Sequence, residues 1–274
     1  MSGGFRCSNL PLLTKCAGSL WLPHSEWRDE KQVKKQQDGA FWGHIAHAWK
    51  ETGDFVYVPS APDDLQPTPE NQTTVSRGIA ALRKAVSTIG PEKRFELWPV
   101  SGRHEVEIAI RCDGTRETKV GPGVADLPLP WITGHVDYTD VLVDGTLWVD
   151  DLKTSKRYYD RWTGEERFRP SPRSPQLLAY ALALAYDSRP PAIVTSITHW
   201  PRLPLTDRHA KPVRYATDVE WGELMEMYTH LEYIYNQVEW QNGPYEVGDH
   251  CKFCDSQLDC NPYQKSKEDQ YGIC

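Results

Sequence analysis

Two β-rich runs joined by an Asp-Gly turn constrain the fold of this chain more than any other feature of its sequence. The runs are residues 132–143 (ITGHVDYTDVLV) and 146–154 (TLWVDDLKT), on either side of Asp144 and Gly145. Asp-Gly between strand-forming runs is a strong hairpin signal, because it suits the tight turns that join antiparallel neighbours. We therefore expect two paired strands in the middle of the chain.

The segments around this hairpin predict a sheet flanked by helices. Hydrophobic residues alternate with other residues in 104–111, and 192–200 is a second β-rich segment. Residues 112–130 form a turn-rich excursion. Hydrophobic spacing, proline and glycine signals predict helices at 26–52, 68–89, 175–187 and 218–241. This order indicates an α/β or α+β fold with a central mixed β-sheet.

Composition limits the class of protein. The chain has 274 residues, 39% of them hydrophobic, which is enough for one large core. The sequence contains no apolar run of membrane-spanning length, and its start lacks the apolar segment of a signal peptide, so we expect a cytosolic protein and no membrane partner. A net charge of −7 argues against a protein that coats nucleic acid, but metal-binding carboxylates would still allow a nuclease.

Acidic and basic side chains concentrate on the predicted strands. Side chains at i and i+2 share a strand face, so Asp151 and Lys153 project together, and the hairpin brings Asp137 towards Asp151. Two converging carboxylates suit Mg²⁺ or Mn²⁺. Glu105 and Glu107 share a face of the preceding strand, and either could approach this site. An exposed cross-strand pair is the structural alternative for Asp-x-Lys.

These residue types fit phosphodiester hydrolysis. That reaction needs an activated water and stabilisation of charge on the phosphoryl oxygens, and a divalent metal supplies both. Lys153 would either orient the water or stabilise the charge.

Two helices carry further candidates. Gly43 and His47 are four residues apart, so they share one helical face, and His47 could add a nitrogen ligand. Gln176 and Tyr180 have the same spacing, and their side chains could reach a water or a phosphate. The structural alternatives are a packed histidine, a capping glutamine and a packed tyrosine.

The order G-x-x-x-H, G-x-x-D, D-x-K-T and Q-x-x-x-Y resembles the RecB-type branch of the PD-(D/E)XK nucleases. That branch includes nuclease domains of recombination helicases, CRISPR adaptation nucleases and many phage exonucleases. The resemblance runs from about residue 10 to residue 260 and implies a restriction-endonuclease-like core. The matching residues are Gly43, His47, Gly134, Asp137, Asp151, Lys153, Thr154, Gln176 and Tyr180.

The resemblance implies a metal site. His47, Asp137 and Asp151 would bind the ion, together with the backbone carbonyl of Leu152. Asp150 stands before Asp151 where the family commonly has an apolar residue, and strand alternation relative to the lysine favours Asp151 as the metal-facing aspartate.

The same resemblance implies the remaining roles and the activity. Lys153 would support the attacking water, while Gln176 and Tyr180 would organise the site and the DNA backbone. We therefore expect a Mg²⁺- or Mn²⁺-dependent DNA nuclease, an exonuclease in recombination, repair or phage DNA processing. DNA is the expected partner, with a recombination, single-strand-annealing or helicase protein as a further one.

The cysteines predict a second metal centre. Cys251-x2-Cys254-x5-Cys260 supplies three thiolates, and a zinc ion or a [4Fe–4S] cluster needs a fourth ligand. The candidates for it are Cys7, Cys16, Cys112, Cys274 and His250. Cys16 resembles the N-terminal cysteine of iron–sulfur RecB-like nucleases, which implies a [4Fe–4S] cluster on Cys16, Cys251, Cys254 and Cys260, with zinc as the alternative.

The expected organisation is a single nuclease domain over 1–274, with 1–25 and 242–274 together forming the cluster region. Two other functions remain open. One is a cluster-stapled protein that binds DNA ends or a partner without using its catalytic residues. The other is a zinc-bearing nucleic-acid-binding module.

Overall fold

The computed structural model describes residues 6–13, 43–53, 80, 93–154, 171–200 and 212–239. A 3-10 turn at Cys7–Asn9 leads into the single-turn helix α1 (Leu10–Leu13). The other helices are α2 (43–52), α3 (Lys93–Leu97), α4 (Pro175–Ala185) and α5 (Trp221–Glu239). The strands are β1 (Arg103–Arg111), β2 (Thr118–Val120), β3 (Trp131–Val141), β4 (Leu147–Lys153), β5 (Ile193–His199) and β6 (Val213–Asp218).

Within these residues the strands form one six-stranded sheet in the order β2-β1-β3-β4-β5-β6. Strands β4 and β5 are parallel, and the other neighbours are antiparallel. Helix α4 lies between the parallel pair in sequence, as a parallel connection requires. The expected mixed sheet flanked by helices is confirmed.

The Asp-Gly hairpin forms as the sequence indicates. Strands β3 and β4 pair with Tyr138 opposite Asp150. Gly145 takes a φ of 85°, a conformation that glycine adopts at little cost. The Asp144 carboxylate accepts the Thr146 backbone N–H at 2.9 Å and closes the turn.

Two hydrophobic clusters cover the two faces of the sheet. The first joins α4, α5 and α1 to one face, around Ile108, Val136, Val149 and Leu182. The second joins α2 and α3 to the other face and is aromatic. Its Trp49 ring packs edge-on against Trp98 and Trp200, with centroids 6.4 and 5.2 Å apart.

The regular alternation of side chains along β1 and β3 is interrupted where each strand passes from one cluster to the other. Val136 belongs to the first cluster and Tyr138 to the second, although residues two apart in a strand normally share a face. On β1, the His104 ring packs edge-on against Tyr138, whereas Val106 packs with Val136. Between them Glu105 has a φ of 49°, which is rare outside glycine. The two strands therefore change faces together, between the pair His104–Tyr138 and the pair Val106–Val136.

Several elements differ from the sequence expectations. Strand β2 lies inside the predicted excursion 112–130, while β6 and α3 were not predicted. Helix α5 begins at Trp221 rather than at 218, because Asp218 still belongs to β6. Both missed strands are short, exposed sheet edges without hydrophobic alternation.

Parts of other predicted segments lie outside the described residues, namely 26–42, all of 68–89 except residue 80, and 242–274. The described part of the first predicted helix, 43–52, is helical. Among the described residues, every helix is too short or too polar to span a membrane.

Candidate active site

Strand β4 presents two adjacent aspartates in opposite directions. Asp150 points into the aromatic cluster, where it is fully buried and accepts the Trp98 indole N–H at 2.8 Å. Asp151 points to the other face and lies beside the Lys153 ammonium, with Nζ and Oδ2 2.7 Å apart. The alternation argument therefore selects Asp151 correctly as the partner of Lys153.

Helix α4 extends this pair into a chain of polar contacts. Gln176 lies 3.4 Å from both Lys153 Nζ and Asp151 Oδ1, and its amide donates to the Tyr180 hydroxyl at 2.8 Å. Ser174 caps the helix by accepting the Leu177 N–H, which fixes the first turn and with it Gln176. The four predicted residues Asp151, Lys153, Gln176 and Tyr180 thus come together.

Asp137 lies at the point where β3 changes faces. Its carboxylate Oδ2 accepts the backbone N–H of Leu152 at 2.7 Å, in place of a regular ladder bond. The same oxygen lies 3.6 Å from Nε2 of His47, which reaches over from α2. Leu152 therefore contacts Asp137 through its amide, and its side chain is buried in the aromatic cluster.

Two further residues lie beside His47. Glu105 was one of two candidates from the sequence, and Lys50 was not predicted. Glu105 Oε1 lies 3.3 Å from His47 Nδ1 and 3.4 Å from the Nζ of Lys50. Lys50 is fully buried and also donates to the backbone carbonyl of Asp137. A buried lysine on a helix is rare unless it is paired, so the sequence alone gave no signal for it.

Glu107 makes other contacts and does not join this group. Its carboxylate accepts the backbone N–H of Ala125 at 3.2 Å and lies 3.9 Å from His135. Of the two glutamates on β1, Glu105 is therefore the one that contacts His47 and Lys50.

The electrostatics of the site follow from burial and from its mixed charges. Burial raises the pKa of Asp151. The positive charge of Lys153 opposes this shift, and the negative charge of Asp137 adds to it. Burial disfavours the charged form of Lys153, but the two carboxylates outweigh it and raise its pKa. The pKa of His47 is also raised, because Asp137 and Glu105 outweigh its burial. The site therefore holds excess negative charge that a cation would neutralise.

The donor atoms suit a divalent cation. His47, Glu105 and Asp137 each offer one ligand atom, and the three atoms lie within 4.8 Å of one another. Asp151 approaches from the neighbouring strand and interacts electrostatically with both Asp137 and His47. Carboxylate oxygens with one imidazole nitrogen fit Mg²⁺ or, better, Mn²⁺.

The two motif glycines differ in what surrounds them. A Cβ on Gly134 would lie 2.8 Å from the Tyr180 ring and 3.1 Å from Cys7 Cβ, so this position needs glycine. A Cβ on Gly43 would make an ordinary contact of 3.5 Å with the Thr154 hydroxyl.

The proposed cluster ligands Cys16, Cys251, Cys254 and Cys260 lie outside the described residues. Cys7 and Cys112, two of the other candidates for the fourth ligand, are buried free thiols. Burial raises the pKa of Cys112 to about 12 and that of Cys7 further, so both are neutral where they lie.

The sequence matches the family model of the PD-(D/E)XK nuclease superfamily over residues 10–261. A comparison with curated proteins gives no match. Among solved structures, the chain is similar to a candidate exonuclease from Eubacterium rectale, with 12% identity and a TM-score of 0.43 over 91% of this chain and 87% of that one. It is also similar to the protein SSO0001, with 11% identity and a TM-score of 0.38 over 85% of this chain and 97% of that one.

Proposed function

This chain belongs to the PD-(D/E)XK nuclease superfamily, whose members are metal-dependent nucleases, and we propose that it is a Mg²⁺- or Mn²⁺-dependent DNA exonuclease. The observation that carries the proposal is the meeting of Asp137, Asp151 and Lys153 beside His47. A role in recombination, repair or phage DNA processing, with a protein partner from those pathways, is part of the same proposal.

His47, Asp137 and Asp151 would hold the metal, with the carbonyl of Leu152 as a further ligand. When bound, the ion supplies a water of lowered pKa and polarises the scissile phosphate. The protein supplies the geometry: the Leu152 amide fixes Asp137, and Gln176 braces Asp151 and Lys153 from helix α4.

Lys153 would act on the reacting atoms. Its side chain is about two-fifths exposed, so it can reach a phosphoryl oxygen or the attacking water while Asp151 holds it. Raised pKa keeps it charged over the neutral pH range, as charge stabilisation requires. Tyr180 is nearly buried and would act by holding Gln176 in place.

The test is a nuclease assay on the full chain purified without oxygen. Linear single- and double-stranded DNA carrying end labels, and closed circular DNA, would be incubated with Mn²⁺, with Mg²⁺ and with a chelator. We expect metal-dependent release of nucleotides from linear DNA, no cutting of the circle, and loss of activity in Asp151→Ala.

Asp144→Asn is the matched control, because Asp144 is an exposed carboxylate at the far end of the same hairpin. It should retain wild-type activity. Cleavage of the circle would replace the exonuclease with an endonuclease. Intact DNA binding without any cleavage would favour a binding protein and overturn the proposal.

We further propose that residues 1–274 form a single domain in which a [4Fe–4S] cluster joins segments 1–25 and 242–274. Its ligands would be Cys16, Cys251, Cys254 and Cys260. Support comes from the spacing of the three C-terminal cysteines and from the family resemblance. Such a staple would close a long loop and stabilise the fold, by analogy with disulfides, by at most on the order of 5 kcal/mol.

Analysis for iron, sulfide and zinc on the anaerobic protein tests this proposal. Iron with sulfide and broad visible absorption is expected, and zinc alone would replace the cluster with a zinc site. Cys16→Ser should lower the stability of the whole fold, whereas Cys274→Ser should keep the iron. A Cys16→Ser variant with wild-type melting and an intact chromophore would exclude Cys16 as a ligand.

A further inference from the structure

His47 lies between two carboxylates, one at each ring nitrogen. Nδ1 is 3.3 Å from Glu105 Oε1, and Nε2 is 3.6 Å from Asp137 Oδ2. The second distance is too long for a good hydrogen bond. Two donors that each lie about 2.1 Å from one ion are about 3.0 to 3.6 Å apart when the angle between their bonds is about 90° to 120°. The Nε2 side therefore suits a shared cation, and the Nδ1 side suits a hydrogen bond.

Glu105 has a different environment from Asp137. Its Oε1 lies between His47 Nδ1 and the ammonium of Lys50, which is 3.4 Å away. A metal ion bound to that oxygen would be repelled by the adjacent Lys50 ammonium, which is fully buried and cannot move aside as the partly exposed Lys153 beside Asp151 can. Glu105 is thus better suited to accept a hydrogen from the imidazole than to bind the ion itself.

The backbone holds Glu105 in this place at a local cost. A φ of 49° at a glutamate lies in the left-handed region, which is unfavourable for residues other than glycine. Fully buried Lys50 donates both to the Glu105 carboxylate and to the backbone carbonyl of Asp137 on the neighbouring strand. One buried ammonium therefore ties both carboxylate-bearing residues to helix α2, three residues after His47.

We propose that Glu105 is a positioning residue: it accepts the Nδ1 hydrogen of His47 and so presents the Nε2 lone pair to a divalent ion at Asp137. Lys50 holds Glu105 in register for this task. The proposal rests on the proposed function for the presence of the ion, but the ring geometry it assigns applies to the metal-free protein as well. Carboxylates commonly orient ligating histidines in this way.

The first test measures the tautomer of His47 by ¹⁵N NMR in the metal-free full-length protein, with His47→Gln to assign the signal. In the neutral ring, observed at a pH above the raised pKa of His47, wild type should carry its hydrogen on Nδ1. Glu105→Ala should shift the ring towards the Nε2–H form, and Glu105→Gln, whose amide oxygen can still accept, should keep the wild-type form. An Nε2–H wild type, or no change in Glu105→Ala, would overturn the assignment.

The second test measures Mn²⁺ binding by calorimetry. Glu105→Ala should weaken binding about 10- to 100-fold, as loss of an orienting partner typically does. Glu105→Gln should lose much less, and Asp137→Asn should lose most of the affinity. Equal losses in Glu105→Gln and Asp137→Asn would make Glu105 a direct ligand and overturn the positioning role.

Glu107→Gln is the matched control, because Glu107 lies two residues along β1 and contacts the Ala125 amide instead. It should leave the tautomer and Mn²⁺ affinity unchanged. If wild type binds Mn²⁺ but leaves DNA intact, the nuclease proposal fails while the tautomer result still decides the role of Glu105.

Discussion

Asp150 and Asp151 are neighbours in sequence but lie on opposite faces of β4, one in an aromatic core and the other in the candidate active site. Asp150 accepts hydrogen bonds from Trp98, Ser196 and Thr198 and lies 3.7 Å from Arg214. Removing the Asp150 carboxylate should therefore affect stability, whereas removing the Asp151 carboxylate should affect activity.

We expect Asp150→Ala to lower the free energy of unfolding by about 3–5 kcal/mol, because it leaves the partly buried Arg214 guanidinium and several buried donors without this acceptor. Asp151→Ala should change stability by only about 1 kcal/mol, since the Lys153 it releases can reach water, yet it should abolish cleavage. Chemical denaturation and the DNA assay on both variants check this. If Asp150→Ala were stable but inactive, Asp150 and not Asp151 would be the catalytic aspartate.

Lys153 gives a prediction that separates binding from turnover. Its ammonium occupies Oδ2 of Asp151, so it competes with a cation for that oxygen. Lys153→Met should bind Mn²⁺ at least as tightly as wild type, while kcat falls about 100-fold or more. Calorimetry and single-turnover cleavage measure the two effects. A parallel loss of metal affinity and of kcat would show that the lysine builds the metal site instead.

His104 should make the fold sensitive to acid. Burial lowers its pKa to about 4, and Lys50 and Arg94 add to this against the weaker pull of Glu105 and Asp137. The folded-state pKa lies below the ordinary value of 6.5, so the unfolded chain takes up the proton first as pH falls. Stability that His104 contributes above pH 6.5 is therefore lost progressively between pH 6.5 and 4.

His104→Phe isolates this effect, because a phenyl ring can keep the edge-on contact with Tyr138 and removes a buried Nδ1 that has no hydrogen-bond partner among the described residues. The free energy of unfolding of the variant, relative to wild type, should rise as pH falls from 6.5 to 4. Urea titrations at several pH values give the difference. A difference that stays constant with pH would mean that His104 does not titrate in this range.

Gly134 gives a packing prediction. A methyl group there would overlap the Tyr180 ring and press on Cys7, so Gly134→Ala should cost about 1–3 kcal/mol. Because Tyr180 holds Gln176, activity should fall as well. Gly222→Ala is the control: Gly222 lies in helix α5 with open space around its Cβ position, and alanine should be neutral or stabilising there. Thermal and urea unfolding of the pair would contradict this if the two variants behaved alike.

The sequence predicted those parts of the site that depend on regular geometry. Strand alternation separated Asp150 from Asp151, and helical spacing paired Gln176 with Tyr180. These rules hold because β4 and α4 are regular over the residues concerned.

The residues that the sequence left undecided depend on irregular geometry. Strand alternation treats Glu105 and Glu107 alike, but only Glu105 contacts His47 and Lys50, and its positive φ lies outside regular strand geometry. Lys50 gave no signal, since lysine is normally solvated and its burial depends on two strands meeting helix α2. Strand β6 was missed because its mostly exposed side chains carry no hydrophobic alternation.

The contact of Cys7 with Gly134 and Tyr180 ties the first described residues to the catalytic machinery. Arg6 also pairs with Thr133 alongside β3. The amino-terminal turn therefore packs against β3, the strand that carries Asp137, and supports its position. An affinity tag inserted just after this turn, or a proteolytic cut made there, should therefore disturb the active site even though every catalytic side chain remains in the chain.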